Sequence, residues 1–220
     1  MSEPVVIETD ASPDAAIILL HGLGADGHDF EPIVSEMRLP AEARWRFVFP
    51  HAPHQPVTIN GGMSMPSWYD ILGLDRNSQV DEAGIRASVA FLRGLIAEQQ
   101  AAGVARERIV VAGFSQGGAV ALFSTLTDAS PVAGVLALST YLPLSDTVAR
   151  EHASHGDVLP ILMVHGEYDP VLPLALASQS RDAIEAMGYT VQWQTYPMPH
   201  SVCAEEIVLM RQWLLERLPI

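Results

Sequence analysis

The stretch Gly113-Phe114-Ser115-Gln116-Gly117 reads G-x-S-x-G, with a serine held between two glycines. Such a string arises by chance in about one chain in ten at this glycine and serine content, so its context decides. An apolar run precedes it and an amphipathic run follows, the strand–turn–helix that lifts a serine out as a nucleophile. Glycines suit that turn because any side chain there would meet neighbouring backbone, and because the serine backbone is strained. The plain alternative is a tight turn with a solvated serine. A serine hydroxyl attacks a carbonyl only with a general base beside it and an acid behind the base. In this arrangement they follow in the order Ser, Asp or Glu, His, each beyond a later strand. Asp169 and His200 stand in those places, with Glu167, Asp146 and Asp157 as competitors for the acid. Asp146 trails the strand after the serine turn, where the acid sits in some variants of the arrangement.

Acyl transfer also needs donors for the oxyanion. One is expected at the backbone N–H of Gln116, aimed by a helix N-terminus. A second is expected from a loop after an early strand, and His21-Gly22-Leu23-Gly24-Ala25-Asp26-Gly27 is such a glycine-rich loop, close in type to the HGGG loops of esterases, with Leu23 N–H as the candidate. A phosphate-cradling turn fits less well: Gly22, Gly24 and Gly27 do fall at G-x-G-x-x-G spacing, but no P-loop lysine exists. His51/His54 and His152/His155 form H-x-x-H pairs without a third ligand, so no metal site is expected. His21 and His165 read as hydrogen-bonded structural histidines at strand ends. Cys203 reads as a small buried residue opening the last helix.

The elements that must position these groups alternate along the chain. Strands are expected at Val5–Glu8, Ala15–Leu20, Trp45–Phe49, Arg108–Gly113, Val132–Ser139, Pro160–His165 and Tyr189–Tyr196. Helices are expected near His28–Leu39, Val80–Ala102, Gln116–Thr127, Leu174–Met187 and Cys203–Leu218. Ile85, Val89, Leu92, Leu95 and Ile96 recur at three- and four-residue spacings and give one buried face. Runs such as Ala15–Leu20 are apolar on both faces, as a parallel sheet covered on each side requires. The pattern predicts an α/β fold with a mostly parallel sheet between helices, as one domain over residues 1–220. Pro50–Asn77 breaks the alternation with four prolines and the Gly61–Gly62 pair, yet carries Ile59, Met63, Met65, Trp68, Tyr69, Ile71, Leu72 and Leu74. It is read as an ordered excursion that walls the site, with ordinary core as the alternative for Met63, Met65 and Trp68.

Composition narrows the chemistry. All 12 basic residues are arginine, which excludes Schiff bases, P-loop lysines and Ser-Lys dyads. A net charge of −14 opposes nucleic acid and anionic membranes as partners. One cysteine permits no internal disulfide, and with no basic n-region visible in the acidic start MSEPVVIETD, no secretory signal is expected. No apolar run approaches the length of a membrane span, so a cytoplasmic location without membrane insertion is expected.

From His21 to Leu214 the chain resembles the carboxylesterase and acyl-protein thioesterase family, including its bacterial carboxylesterases: compact α/β-hydrolases of the phospholipase/carboxylesterase group without a lid domain. The resemblance rests on His21-Gly22-Leu23-Gly24-Ala25-Asp26, Pro66-Ser67-Trp68-Tyr69-Asp70 and Gly113-Phe114-Ser115-Gln116-Gly117-Gly118. It continues in His165-Gly166, Asp169-Pro170-Val171 and His200-Ser201-Val202-Cys203. It implies a catalytic triad of Ser115, Asp169 and His200, oxyanion donors at Leu23 and Gln116, and no cofactor. Expected substrate-binding residues are Leu23, Met65, Trp68, Leu72, Val171 and Val202. The expected activity is hydrolysis of small carboxylic esters or thioesters with acyl chains of about four to eight carbons. A lysophospholipase, a protein deacylase and a non-catalytic binding module are the alternatives, and a homodimer is left open. Pro199 departs from the glycine usual in bacterial relatives. Proline fixes φ and removes an N–H, which predicts a different course for the loop aiming His200.

Overall fold

The computed structural model describes residues 2–73, 79–155 and 158–220. Leu74 and Asn77 of the excursion, and Asp157, lie outside the described residues. The central sheet takes β1 (Val5–Glu8), β2 (Ala15–Leu20), β3 (Trp45–Phe49), β6 (Ile109–Phe114), β7 (Gly134–Leu138), β8 (Ile161–Gly166) and β9 (Val191–Tyr196). The excursion contributes a separate two-stranded hairpin of β4 (His54–Val57) and β5 (Met63–Pro66). The sheet order is β1-β3-β2-β6-β7-β8-β9, with β1 antiparallel to β3 and every other pair parallel. This is the expected α/β-hydrolase type of sheet, antiparallel only at one edge.

Burial follows the two-faced character of the strands. Ile18 and Leu20 pack with α2 (Glu82–Ala101) and α3 (Gln116–Leu126), whereas Ile17 and Leu19 pack with α1 (Pro32–Glu36) and α6 (Ala204–Arg217). The remaining helices are α4 (Ser145–Glu151) and α5 (Leu174–Ala186), whose Val148 and Ile184 join the α2–α3 side. Both faces of the sheet are therefore covered, and the carboxyl ends of β2, β6, β7, β8 and β9 meet along one rim.

Three expectations need correction. The helix near His28–Leu39 shrinks to five residues, because Pro32 can only stand in its first turn and Arg38 turns to a φ of 47° just past its end. A short helix, α4, follows β7 where none was expected; it buries only Val148, too little for a periodic signal. The excursion is not free of regular structure but holds the β4–β5 hairpin, whose prolines a two-stranded ribbon tolerates. Among the described residues no helix is long and apolar enough to cross a membrane.

Candidate active site

Ser115 sits between β6 and α3 with φ 52° and ψ −119°, a conformation that costs an L-residue about 1–3 kcal/mol. Its neighbours hold it there: Ser115 N–H donates to Leu138 O at 2.9 Å, and its carbonyl accepts from Thr140 Oγ1 at 2.6 Å and Ala119 N at 3.1 Å. A Cβ on Gly117 would collide with the Leu20 and His21 carbonyls, and one on Gly113 with the Gly117 backbone. The sharp turn is thus possible only with glycine at both positions.

Beyond β8, the Asp169 side chain is fully buried and saturated with donors. Oδ1 accepts the Val171 and Leu172 N–H groups, both at 2.8 Å, while Oδ2 lies 2.6 Å from His200 Nδ1. Facing a carboxylate, Nδ1 carries the hydrogen, which leaves the His200 Nε2 lone pair free to accept a proton. His165 Nε2 stands 3.5 Å from the same Oδ2 but donates to Leu172 O at 2.8 Å. Burial holds the His165 pKa below the usual histidine range, so it stays neutral beside Asp169. The Pro199 loop still delivers His200: Ser201 N bonds Pro199 O at 2.9 Å, and Tyr168 N bonds Met198 O at 3.1 Å.

The loop after β2 lies against the serine turn. A Cβ on Gly22 would stand 3.2 Å from Phe114 Cδ1 and 3.4 Å from Ser115 Cβ. Gly24 takes a φ of 77°, and its N–H donates to Pro66 O at 2.9 Å, which ties the loop to the hairpin. Neither the Leu23 nor the Gln116 N–H has a hydrogen-bond partner among the described residues. Two cavities meet at Ser115. One, of about 560 Å³, is lined by Leu23, Phe30, Phe114, Val171, His200 and Val202 among others. The other, of about 170 Å³, is lined by Leu23, Ile59, Tyr69, Ile71, Tyr141 and Leu172 among others.

The model of the phospholipase/carboxylesterase family matches residues 1–216. The chain belongs to this family. It is 41% identical to acyl-protein thioesterase 1 of Neurospora crassa over 225 residues, covering 98% of this chain and 92% of that protein. The crystal structure of Zea mays acyl-protein thioesterase 2 superposes with a TM-score of 0.87 at 26% identity, covering 99% and 100% of the two chains. That of Arabidopsis thaliana SOBER1 gives 0.87 at 28% identity, covering 93% and 99%.

In this phospholipase/carboxylesterase chain, the expected site residues divide. Ser115, His200, Leu23, Val171 and Val202 line the larger cavity, with Asp169 buried directly behind His200. Trp68 does not line either cavity. It is 2% exposed, its Nε1–H donates to His21 O at 2.8 Å, and it stacks on Phe91 of α2, so it is core beneath the loop. Leu72 is 38% exposed and also lines neither; its neighbour Ile71 lines the smaller cavity instead. Met65 stays in β5, its sulfur 3.3 Å from Asn60 Nδ2, outside both linings. Of the rival acids, Glu167 is exposed and accepts from Thr195 Oγ1, and Asp146 is exposed in α4. His21 is locked by Ala52 N at Nε2 and Gly22 O at Nδ1, and burial lowers its pKa. Cys203 caps α6 half-buried. Of the H-x-x-H pairs, His51 accepts from Gly27 N while His54 is exposed in β4, and His155 Nε2 lies 2.7 Å from Asp128 O while His152 meets the Tyr189 ring. Phe30 and Tyr141 were not singled out in the sequence, though Tyr141 follows β7, at the rim where site residues gather.

Proposed function

We propose that the protein hydrolyses carboxylic esters and thioesters through an acyl-enzyme on Ser115. The observation that carries this is the buried Asp169 carboxylate 2.6 Å from His200 Nδ1, with His200 and the strained Ser115 lining one cavity. His200 Nε2 takes the Ser115 proton as Oγ attacks the acyl carbon. Asp169 fixes the imidazole tautomer and stabilises its cationic form. The free N–H groups of Leu23 and Gln116 hold the oxyanion, each donor being worth about 3–4 kcal/mol. His200 then protonates the departing alcohol or thiol, and a water activated by the same imidazole releases the acid.

The smaller cavity suits the acyl chain, since Leu23, Ile59, Ile71 and Leu172 offer apolar walls beside Ser115. Its size favours acyl chains of about four to eight carbons over lipid length. The larger cavity would take the alcohol or thiol. A second reading, deacylation of protein thioesters, is favoured by the name of the Neurospora crassa relative. A panel of p-nitrophenyl esters, thioesters and lysolipids at equal concentration, with a fluorophosphonate probe on Ser115, tests both. Hydrolysis with labelling that disappears in Ser115→Ala supports the reading. An unlabelled Ser115 with no turnover of any substrate would leave only a binding module.

A further inference from the structure

The smaller cavity is not purely apolar. Tyr69 and Tyr141 both line it, and their hydroxyl oxygens are 3.0 Å apart. A phenol has one hydrogen to give, so within the pair one hydroxyl donates and the other keeps its hydrogen. Among the described residues no acceptor other than the partner phenol lies within hydrogen-bonding distance of either hydroxyl. Of the two amides in the lining, Gln116 is fully engaged, its Oε1 accepting from Trp68 N at 2.8 Å and its Nε2 donating to Ser67 Oγ at 2.9 Å and Tyr69 O at 2.7 Å, while Asn60 Nδ2 lies 3.3 Å from the Met65 sulfur.

We propose that the Tyr69–Tyr141 pair makes this cavity select acyl groups bearing an acceptor oxygen along the chain over plain alkyl chains of equal length. The inference rests on the hydrolase reading above and names its substrate class. A methylene set against the spare O–H leaves that donor buried without a partner, whereas an ether, keto or hydroxyl oxygen at the same place satisfies it. The pair is rigidly placed relative to the nucleophile. Gln116 at the start of α3 grips the Tyr69 carbonyl, and Thr140, the neighbour of Tyr141, donates to the Ser115 carbonyl. Burial pushes the pKa of both phenols upward, so both remain hydroxyl donors across the working range of the enzyme.

The test compares kcat/KM for p-nitrophenyl hexanoate with its two chain isosteres, p-nitrophenyl 3-ethoxypropanoate and p-nitrophenyl 4-methoxybutanoate, each divided by its alkaline hydrolysis rate. The wild type should favour one of the ethers about tenfold. Tyr69→Phe and Tyr141→Phe alone should keep a preference, because either phenol by itself still has one hydrogen to donate. The double variant Y69F/Y141F should lose it. Ratios are taken within each variant, so a general change in activity cancels, and melting curves check that the variants fold. A wild type indifferent to both ethers, or a folded double variant that keeps the preference, overturns the inference. Absence of turnover of every ester would instead remove the hydrolase reading, and this inference with it.

Discussion

Glu206, in the first turn of α6, is wholly buried, and neither carboxylate oxygen has a hydrogen-bond partner. Burial raises its pKa from 4.5 to about 8; the Cys203 N–H opposes this, but its geometry falls short of a hydrogen bond. Between those pH values the folded protein keeps a proton that the unfolded chain releases, so stability is greatest below 4.5 and is lost as pH rises toward 8. The loss over the whole window is about 5 kcal/mol, of which about 3 kcal/mol has accrued by neutral pH. Glu206→Gln keeps the shape and cannot ionise, so its stability relative to the wild type should grow by about 3 kcal/mol between pH 4.5 and pH 7. For a domain of this size the gain corresponds to about 6–12 °C in Tm. Cys203 and Tyr196, which face Glu206, have their own pKa values raised by burial and do not titrate within the window. Thermal or urea unfolding of both proteins from pH 4.5 to 8.5 measures the effect. Burying an amide adds a constant offset, so the slope of the difference is what reports the proton. A difference that does not grow with pH would mean that Glu206 is not a protonated buried acid, and the reasoning fails.

The hydrolase reading has its own consequences. Ser115→Ala should lower kcat by about 10⁴–10⁶ without loss of stability, and retention of more than a tenth of the activity would move the nucleophile elsewhere. Asp169→Asn should cost about 10⁴ in kcat through the wrong His200 tautomer, measured with a short p-nitrophenyl ester. Because a general base must be neutral, kcat/KM should rise from acid pH and then level; a fall over that range contradicts the role of His200. Trp68→Ala should destabilise by about 3–5 kcal/mol and reduce all substrates alike, whereas Ile71→Ala should flatten the chain-length dependence of kcat/KM. Equal loss of acetate and octanoate turnover in Ile71→Ala would remove Ile71 from the acyl wall.

The sheet was legible because its strands are buried on both faces. Ala15–Leu20 has no polar residue to offer solvent, and the structure places all six positions in the core. The serine turn was legible for a related reason: the glycines flanking Ser115 are demanded by backbone contacts, and such demands appear directly in the sequence. The wall of the small cavity was not. Trp68 by its size, and Leu72 by an apolar side chain equal in bulk to that of Ile71, look no worse as wall residues than Ile71 does. What decides between them is a bond from Trp68 Nε1 to a carbonyl 47 residues away, and the bond from Ile59 N to Ile71 O that draws Ile71 to the cavity. Neither leaves a period to read. The β4–β5 hairpin hid behind Pro56 and Pro66 for the same reason, since its pairing of Val57 with Met63 is specified by the turn between them.

That apolar wall is nevertheless held in place by short polar links. Asp70 accepts from Thr58 N at 2.7 Å and Thr58 Oγ1 at 2.6 Å, and Ile59 N reaches Ile71 O at 2.9 Å, which closes the excursion on itself. Asp81 then takes the Asp70 N–H at 2.9 Å while capping α2 through Gly84 N, so the far end of the segment is fixed to a long core helix. The adjoining Ser67–Tyr69 stretch is held by the side chain of Gln116, the residue whose backbone N–H faces the proposed oxyanion. One residue thus joins the wall of the smaller cavity to the proposed site of bond cleavage. With the wall tied to both α2 and α3 through Ser67–Asp70, the proposed selection among acyl chains rests on the shape of the cavity and the hydroxyls placed in it.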